Sequence, residues 1–256
     1  MSTLEGMIEV RRFKAEPGVC GYLPQETASL EYRFVTEITA PAYRELLRRG
    51  WRRFGYEFFR PACPTCRKCR SLRIKVREFM PSRSQRRALK CNEHIRVVMQ
   101  SPTVSDAHLA LYNAYHQAMH ARRGWRLRSI TKGQYAASFL AGNTGFAREI
   151  LYLNADKLMG VTLVDLVADA VSSVYFFHDP AWRPNAPGVF SILQTLKVAQ
   201  AYGAAYQYLG YWIEESQSMA YKNKFRPHQL LQFFPGDEEE PVWVDADTRG
   251  LTIRGQ

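Results

Sequence analysis

The sequence predicts an α+β protein in which helices pack on a mainly antiparallel sheet. Three strand-like runs, Glu149–Asn154, Leu158–Leu166 and Val171–His178, follow one another across short polar turns. Connections this short indicate an antiparallel meander. Apolar residues at helical spacing then predict a helix from Gly188 to Tyr202, and Tyr206–Ile213 is typical of a buried strand. This order of strands, helix and strand is the basis of the predicted class.

Shorter elements surround this block. Residues His94–Gln100 predict a strand, and Ser105 is placed to cap a helix that ends near Gly124. The segment Thr131–Gln134 has the spacing of a capping box, which indicates another helix start. Earlier in the chain, Pro41 and Gly50 bracket a short helix. A last short strand is predicted at Val242–Val244.

Composition and charge restrict the class of protein. A hydrophobic content of 46% is that of a globular chain, and no run approaches the ~20 apolar residues that span a bilayer. The N-terminus lacks the apolar core of a secretory signal, so we expect a cytoplasmic protein with reduced thiols. Between residues 44 and 90 there are 16 Lys and Arg against three acids, which predicts a polyanion-binding surface. We divide the chain into a basic, Cys-containing N-terminal domain, 1–100, and a second domain, 101–256.

Three cysteines occur within seven residues of the N-terminal domain, as Cys63-Pro-Thr-Cys66-Arg-Lys-Cys69. In a reducing compartment this spacing indicates a metal or cluster site before any other role. Four thiolates suit either tetrahedral zinc or an iron–sulfur cluster, and the CxxCxxC pattern favours the cluster slightly. Cys20 is the best candidate for the fourth ligand, with Cys91 second. Free thiols that bind nothing are the other interpretation.

Several long and unusual motifs extend over nearly the whole chain. They are Cys20-Gly-Tyr-Leu-Pro24, Glu31-Tyr-Arg33, Arg60-Pro-Ala-Cys63 through to Arg73-Ile-Lys-Val76, Phe79–Arg87, Asn92, Ser173–Pro180, Tyr208–Ile213 and Met219–Pro227. In type and order these motifs resemble those of the arginyl-tRNA–protein transferases and, more closely, of their bacterial branch, the aspartate/glutamate leucyltransferases. Leu23 stands where the eukaryotic members carry a second Cys, which supports the bacterial branch.

The resemblance implies both a fold and an activity. The second domain is expected to have an N-acetyltransferase-like (GNAT) mixed sheet, and the cysteines to hold an iron–sulfur cluster, with zinc as the alternative. The implied activity moves leucine from its tRNA to the N-terminal Asp or Glu of acceptor proteins and marks them for N-degron degradation. Arginine is the alternative donor. The reaction is aminolysis of an activated ester, so the transfer itself needs no cofactor.

This chemistry assigns candidate residues. Proton transfer falls to His178 and Asp179, which end the central strand, although Asp179 before Pro180 also makes an ordinary turn. Phosphates of the tRNA need cations, for which Arg83, Arg86 and Arg87 are suited. The histidines at positions 94, 108, 116 and 120 are expected on surfaces and receive no role.

Two further groups of residues are expected to contact the substrates. The acidic side chain of the acceptor needs a cation, which the sequence alone does not select. The candidates are Arg83, Arg86, Lys222 and Arg226. An apolar pocket for the leucyl side chain could be lined by Tyr175, Phe176 and Trp212, although such residues are more often core. Tyr221 is also predicted to bind substrate, because it precedes Lys222 within the long motif Met219–Pro227.

Two rival functions remain open. An acetyl-CoA-dependent N-acetyltransferase would normally need a glycine-rich loop before the helix, where this chain has only Gly188. A metal-stabilised RNA-binding module without catalysis would explain residues 20–90 but leave the C-terminal motifs without a role.

Overall fold

A computed structural model describes residues 5–142 and 145–246, which fold around two main β-sheets. The strands are β1 (Met7–Lys14), β2 (Gly18–Val19), β3 (Thr27–Ala28), β4 (Leu30–Ile38), β5 (Arg52–Phe54), β6 (Glu57–Pro61), β7 (Arg70–Lys75), β8 (Arg96–Gln100), β9 (Ala147–Asn154), β10 (Lys157–Val167), β11 (Ala170–His178), β12 (Tyr206–Trp212), β13 (His228–Leu231) and β14 (Trp243–Asp245). The helices are α1 (Ala40–Arg48), α2 (Arg83–Cys91), α3 (Asp106–Arg123), α4 (Lys132–Tyr135) and α5 (Pro187–Tyr202). A π-helical turn covers Ala136–Leu140, and 3-10 turns cover Pro180–Asn185 and Ala220–Lys224.

The larger sheet has eight strands in the order β14-β13-β7-β12-β11-β10-β9-β8. Its centre is the predicted meander, because β9, β10 and β11 pair antiparallel across two-residue turns. Helix α5 then crosses the sheet, so that β12 lies parallel to β11. The predicted α+β class is confirmed, and three strands, a helix and a strand follow one another in the predicted order. The predicted caps of α3, Ser105 and Gly124, are confirmed as well.

The N-terminal part contains a second sheet that the sequence did not predict, in the order β1-β4-β6-β5. Strand β4 shows why, since the side chains it buries include Glu31 and Arg33 as well as Val35. A search for alternating apolar residues does not detect a strand whose inward positions are charged. The strand is stable because those charges are paired within the protein.

Both parts of the chain contribute to the larger sheet. Strand β7 lies between β13 and β12, and β8 forms one edge, although both strands precede residue 101. The division into domains 1–100 and 101–256 therefore stays a prediction. Within the described residues, no helix has the length and apolar character that crossing a bilayer requires.

Helices cover both faces of the larger sheet. On one face, α5 buries Phe190, Leu193 and Leu196. On the other, α1 buries Leu46, and α3 buries Leu111 in a separate aromatic cluster. Burying a side chain of this size stabilises the fold by about 1.5–3 kcal/mol. These contacts hold the central strands, and therefore the site between them, in place.

Candidate active site

Strands β11 and β12 pair only at their beginnings and then separate. Their parallel register ends at Ser172 and Tyr208. Just beyond it, Gly210 introduces a register shift against β7 and has a φ of +77°. Any other residue would be strained in that conformation. We call the opening between residues 173–178 and 209–212 the β11–β12 fork.

Two cationic side chains approach the β11–β12 fork from other elements. Lys222, on the 3-10 turn after β12, donates from Nζ to the Tyr211 carbonyl oxygen at 2.8 Å. Arg52, on β5, donates from Nη2 to the Ser173 carbonyl oxygen. Burial, with the Arg52 guanidinium second, lowers the pKa of Lys222 to about 7. Lys222 is a predicted site residue, whereas Arg52 was not predicted because β5 itself was not.

A histidine and a tyrosine form the α3 side of the site. Nε2 of His116 lies 2.9 Å from the hydroxyl oxygen of Tyr175. Burial lowers the pKa of His116 to about 4, so the ring is neutral near pH 7. Burial also raises the pKa of Tyr175 well above its usual value, so the hydroxyl keeps its proton. The expectation that His108 and His116 lie on surfaces was wrong, since only 4% of each is exposed.

His178 and Asp179 lie at the open end of the fork and differ in what they can do. Nδ1 of His178 donates to the Asp179 carbonyl oxygen at 2.8 Å, which leaves Nε2 free to accept a proton. Burial lowers the pKa of His178 below its ordinary value. The Asp179 carboxylate accepts from the Ala181 amide at 2.8 Å and pairs with Lys157 at 2.7 Å. Asp179 thus has a capping role, and the catalytic role of either residue stays a prediction.

The predicted leucyl-pocket residues do not share one face of the sheet. Tyr175 packs in the aromatic cluster beside α3, whereas Phe176 and Trp212 belong to the core beneath α5. Tyr221 packs against that same core, and burial raises its pKa to about 12. The Trp212 indole donates to the Ala220 carbonyl oxygen at 3.2 Å. Phe176, Trp212 and Tyr221 therefore share one core cluster, and Tyr175 packs in another.

Helix α2 presents the arginines predicted to bind tRNA. Its start is a capping box in which Ser82 and Gln85 exchange hydrogen bonds. Gln85 is buried and also donates to the Lys224 carbonyl oxygen at 3.1 Å, which joins α2 to the segment after Lys222. We call the outer face of these two segments the α2 surface. Its exposed cations are Arg83, Arg86, Arg87, Lys90, Lys224 and Arg226.

The positive excess between residues 44 and 90 does not form one surface. Arg53 pairs with Asp165 at 2.8 Å, and all but a few per cent of both side chains is buried. Arg60 pairs in the same way with Glu31, at 2.8 Å. Three further arginines have carboxylate partners, the partly buried Arg44 and Arg48 and the fully buried Arg49. The predicted polyanion-binding surface is therefore wrong for the five paired arginines at positions 44, 48, 49, 53 and 60, and it stays a prediction for the α2 surface.

The four predicted metal ligands lie on one side of the N-terminal part. Cys20 is buried, and Cys69 packs against its cluster. Burial, followed by the charges of Cys63, Cys20 and Cys66, raises the pKa of the Cys69 thiol to about 12. In the ranges that the structure describes, no group of three or more His, Cys, Asp or Glu side chains is arranged to hold a metal ion. The donor set suits zinc or an iron–sulfur cluster chemically, but its sulfurs would have to move closer together around either.

The position of the thiols predicts which cysteine completes the site. Cys91 is exposed at the end of α2, whereas Cys20 is buried beside Cys69. Anaerobically purified Cys20→Ser protein is therefore expected to lose bound iron or zinc, and Cys91→Ser protein to keep it. Metal analysis with ultraviolet-visible spectroscopy measures both variants. Zinc without iron would contradict the cluster, and a metal-free wild-type protein would contradict the site.

The forked mixed sheet has two cations and a neutral histidine beside its opening, and these are groups that an acyl transfer can use to move a proton and to stabilise an oxyanion. Two family models match the chain, the N terminus of arginine-tRNA-protein transferase over residues 18–87 and its C terminus over residues 107–232. The chain belongs to the arginine-tRNA-protein transferase family, as its motifs predicted.

Individual relatives agree with this assignment. The aspartate/glutamate leucyltransferase of Helicobacter hepaticus is 37% identical over 231 residues, which cover 90% of this chain and 96% of the relative. The protein of the same name from Methylobacillus flagellatus is 39% identical over 213 residues, which cover 83% and 85%. Among solved structures, that of FemX has 11% identity and a TM-score of 0.42 over 81% of this chain and 80% of FemX.

Proposed function

We propose that this chain transfers leucine from leucyl-tRNA to the N-terminal Asp or Glu of acceptor proteins and so marks them for N-degron degradation. The observation that carries the proposal is the similarity, over 90% of the chain, to a relative named aspartate/glutamate leucyltransferase. The partners are then an aminoacyl-tRNA and an acidic-ended protein. The compartment is the cytoplasm, where both are present and no membrane is involved.

The reaction exchanges an ester for an amide. The α-amine of the acceptor attacks the leucyl carbonyl carbon, a C–N bond forms, and the bond from that carbon to the ribose oxygen breaks. The attacking nitrogen gives up a proton, and the ribose oxygen takes one. The protein must therefore align two large substrates, move a proton and stabilise an oxyanion.

The residues of the fork divide these tasks. His178 Nε2 lies at the open end with no hydrogen on it and accepts the proton of the amine. Lys222 uses one of its three N–H donors on Tyr211 and offers the others to the carboxylate of the acceptor. A carboxylate beside Nζ would raise the pKa of Lys222 again, because it favours the charged form. The side chains for leucine are Phe176, Trp212 and Tyr221, with Tyr175 on the opposite side.

The thiols have no part in the transfer. Cys20, Cys63, Cys66 and Cys69 would hold an iron–sulfur cluster or zinc, which would tie the turn at Cys20 to the segment 63–69. No step of the transfer uses such a group, since the ester is already activated.

A matrix of donors and acceptors tests the proposed function. The purified protein is incubated with charged Leu-tRNA or Arg-tRNA and with peptides that begin with Asp, Glu or Ala. We expect product only from Leu-tRNA with the two acidic peptides. Product from Arg-tRNA would support the family's other named donor. Binding of tRNA without any product would indicate the RNA-binding module, and product from acetyl-CoA alone would indicate an N-acetyltransferase.

The α2 surface is proposed to bind the phosphates of the tRNA. Replacing Arg83, Arg86 and Arg87 by Ala keeps α2 helical, because Ala is the best helix former. The slope of log K for tRNA against log salt concentration is then expected to flatten by about 2 to 3, as three phosphate contacts are lost. Filter binding over a range of salt concentrations measures this slope.

The control for that measurement changes Lys14 and Lys132 to Ala, two exposed cations on other elements. Their loss should leave the slope as it is. If the triple variant also keeps the wild-type slope, the α2 surface is not the tRNA-binding surface.

A further inference from the structure

The side chain of Arg52 lies in the gap where β11 and β12 separate. Its Nη2 donates to the carbonyl oxygen of Ser173, the first residue of β11 beyond the parallel register. Its Nε lies beside β12, because an ideal Cβ built on Gly210 would be only 3.3 Å away. Arg52 thus donates to a carbonyl oxygen that would otherwise accept from a neighbouring strand. The guanidinium lies between β11 and β12 at the closed end of the fork.

One arm of this guanidinium has no partner. Only 7% of Arg52 is exposed, and its Nη1 is buried without a hydrogen bond to any of the residues 5–142 and 145–246. The adjacent Arg53 is different, since it pairs with Asp165 and donates to two carbonyl oxygens as well. A buried donor without a partner is costly, so its presence calls for an explanation.

The charges around Arg52 make its position more unusual. Within the described ranges, no carboxylate lies within ion-pair distance of Arg52 or of Lys222, and the hydrogen bonds of both side chains go to carbonyl oxygens. Instead the Arg52 charge acts on Lys222 across the fork. A buried cation and a half-buried one, neither paired with a carboxylate, indicate a place that receives negative charge from a ligand.

We propose that Nη1 of Arg52 donates a hydrogen bond to the leucyl ester carbonyl oxygen and to the oxyanion that develops from it. This inference rests on the proposed function and assigns that reaction a further residue in contact with the reacting atoms. When the amine nitrogen bonds to the carbonyl carbon, the π electrons move to the oxygen. They return when the bond to the ribose oxygen breaks. Nη1 keeps its hydrogen throughout and stabilises the negative oxygen between the two events.

The test compares Arg52→Lys with a matched control, Arg53→Lys. Lys at position 52 keeps the positive charge but cannot offer two parallel donors. We expect the single-turnover transfer rate to fall by about 100- to 1,000-fold, as when one oxyanion donor is lost. Affinity for Leu-tRNA and the melting temperature should stay close to wild type. Arg53→Lys should lower the melting temperature while the folded protein keeps a near-wild-type rate.

The outcomes separate this inference from the proposed function. A wild-type rate in Arg52→Lys overturns the inference alone, as does a loss of tRNA affinity or melting temperature that matches its loss of rate. Arg52→Gln is the second variant, since its amide can still donate to Ser173, and the same criteria apply to it. Absence of product with the wild-type protein overturns the proposed function and this inference with it.

Discussion

Replacing Asp165 with Asn is expected to lower the free energy of unfolding by about 3–5 kcal/mol, because the buried Arg53 charge loses its partner. The side chains of Arg53 and Asp165 are only 3% and 1% exposed, and Nη2 lies 2.8 Å from Oδ1. The Tyr43 hydroxyl donates to the second carboxylate oxygen at 2.7 Å. This group joins α1 and β5 to the centre of the larger sheet, so the variant should loosen the whole protein. Urea unfolding followed by circular dichroism measures the change.

Asp169→Asn is the matched control for this prediction. Asp169 lies on the same β-hairpin and also pairs with an arginine from the N-terminal part, Arg44, but its side chain is 42% exposed. Exposed pairs contribute about 0–1 kcal/mol, so the control should unfold almost as the wild type does. The Asp165 variant should melt roughly 6–20 °C lower. Equal stability of the two variants would show that burial does not set the strength of these pairs.

Most of the strands and helices from residue 94 onward, but not β13, could be predicted because their packing obeys simple periodicity. The turns between β9, β10 and β11 are polar and short, and α5 carries apolar residues at helical spacing up to Gly203, where the chain turns left-handed. The sequence could not show that β7 enters the larger sheet. Its neighbours β12 and β13 lie more than 130 residues further along the chain, and local patterns do not encode such pairings.

The candidate site was predicted in part. His178 lies at the fork as expected, because a polar residue at the end of a central strand is placed by the strand itself. Lys222 and Arg226 could not be told apart by their sequence, although one enters the site and the other is exposed on the α2 surface. Arg52 was missed because it stands among arginines that resemble it in sequence and have structural partners.

The charge pattern illustrates a general difficulty. The arginines between residues 44 and 60 count as a basic segment along the chain, but their partners include Asp165, Asp169 and Glu240, far away in sequence. Counting the charged residues within a short segment of the sequence cannot detect such distant partners. Several of these arginines therefore hold the N-terminal part against the larger sheet, and the cations proposed to bind RNA are those of the α2 surface.

Replacing Lys222 with Met is expected to remove most of the preference for acidic acceptors. Met has a similar length and no charge, so it keeps the packing and loses the donors that Lys222 offers beside Tyr211. A hydrogen bond to a charged group contributes about 1.5–3 kcal/mol, and every 1.4 kcal/mol is tenfold. The ratio of kcat/KM for an Asp-initiated peptide to that for its Asn-initiated counterpart should therefore fall by about 10- to 150-fold.

Lys224→Met provides the control, since Lys224 is exposed on the same 3-10 turn, two residues away. It should leave the ratio unchanged, and melting curves of both variants show whether the turn is intact. A Lys222 variant that loses activity equally toward both peptides would place this side chain in a step common to them. If the Lys222 variant keeps the full ratio of kcat/KM values, Lys222 does not recognise the carboxylate, and the exposed cations around Arg226 become the candidates. Only a selective loss toward the Asp peptide agrees with a lysine that meets the acceptor inside the fork, because only that contact depends on the carboxylate.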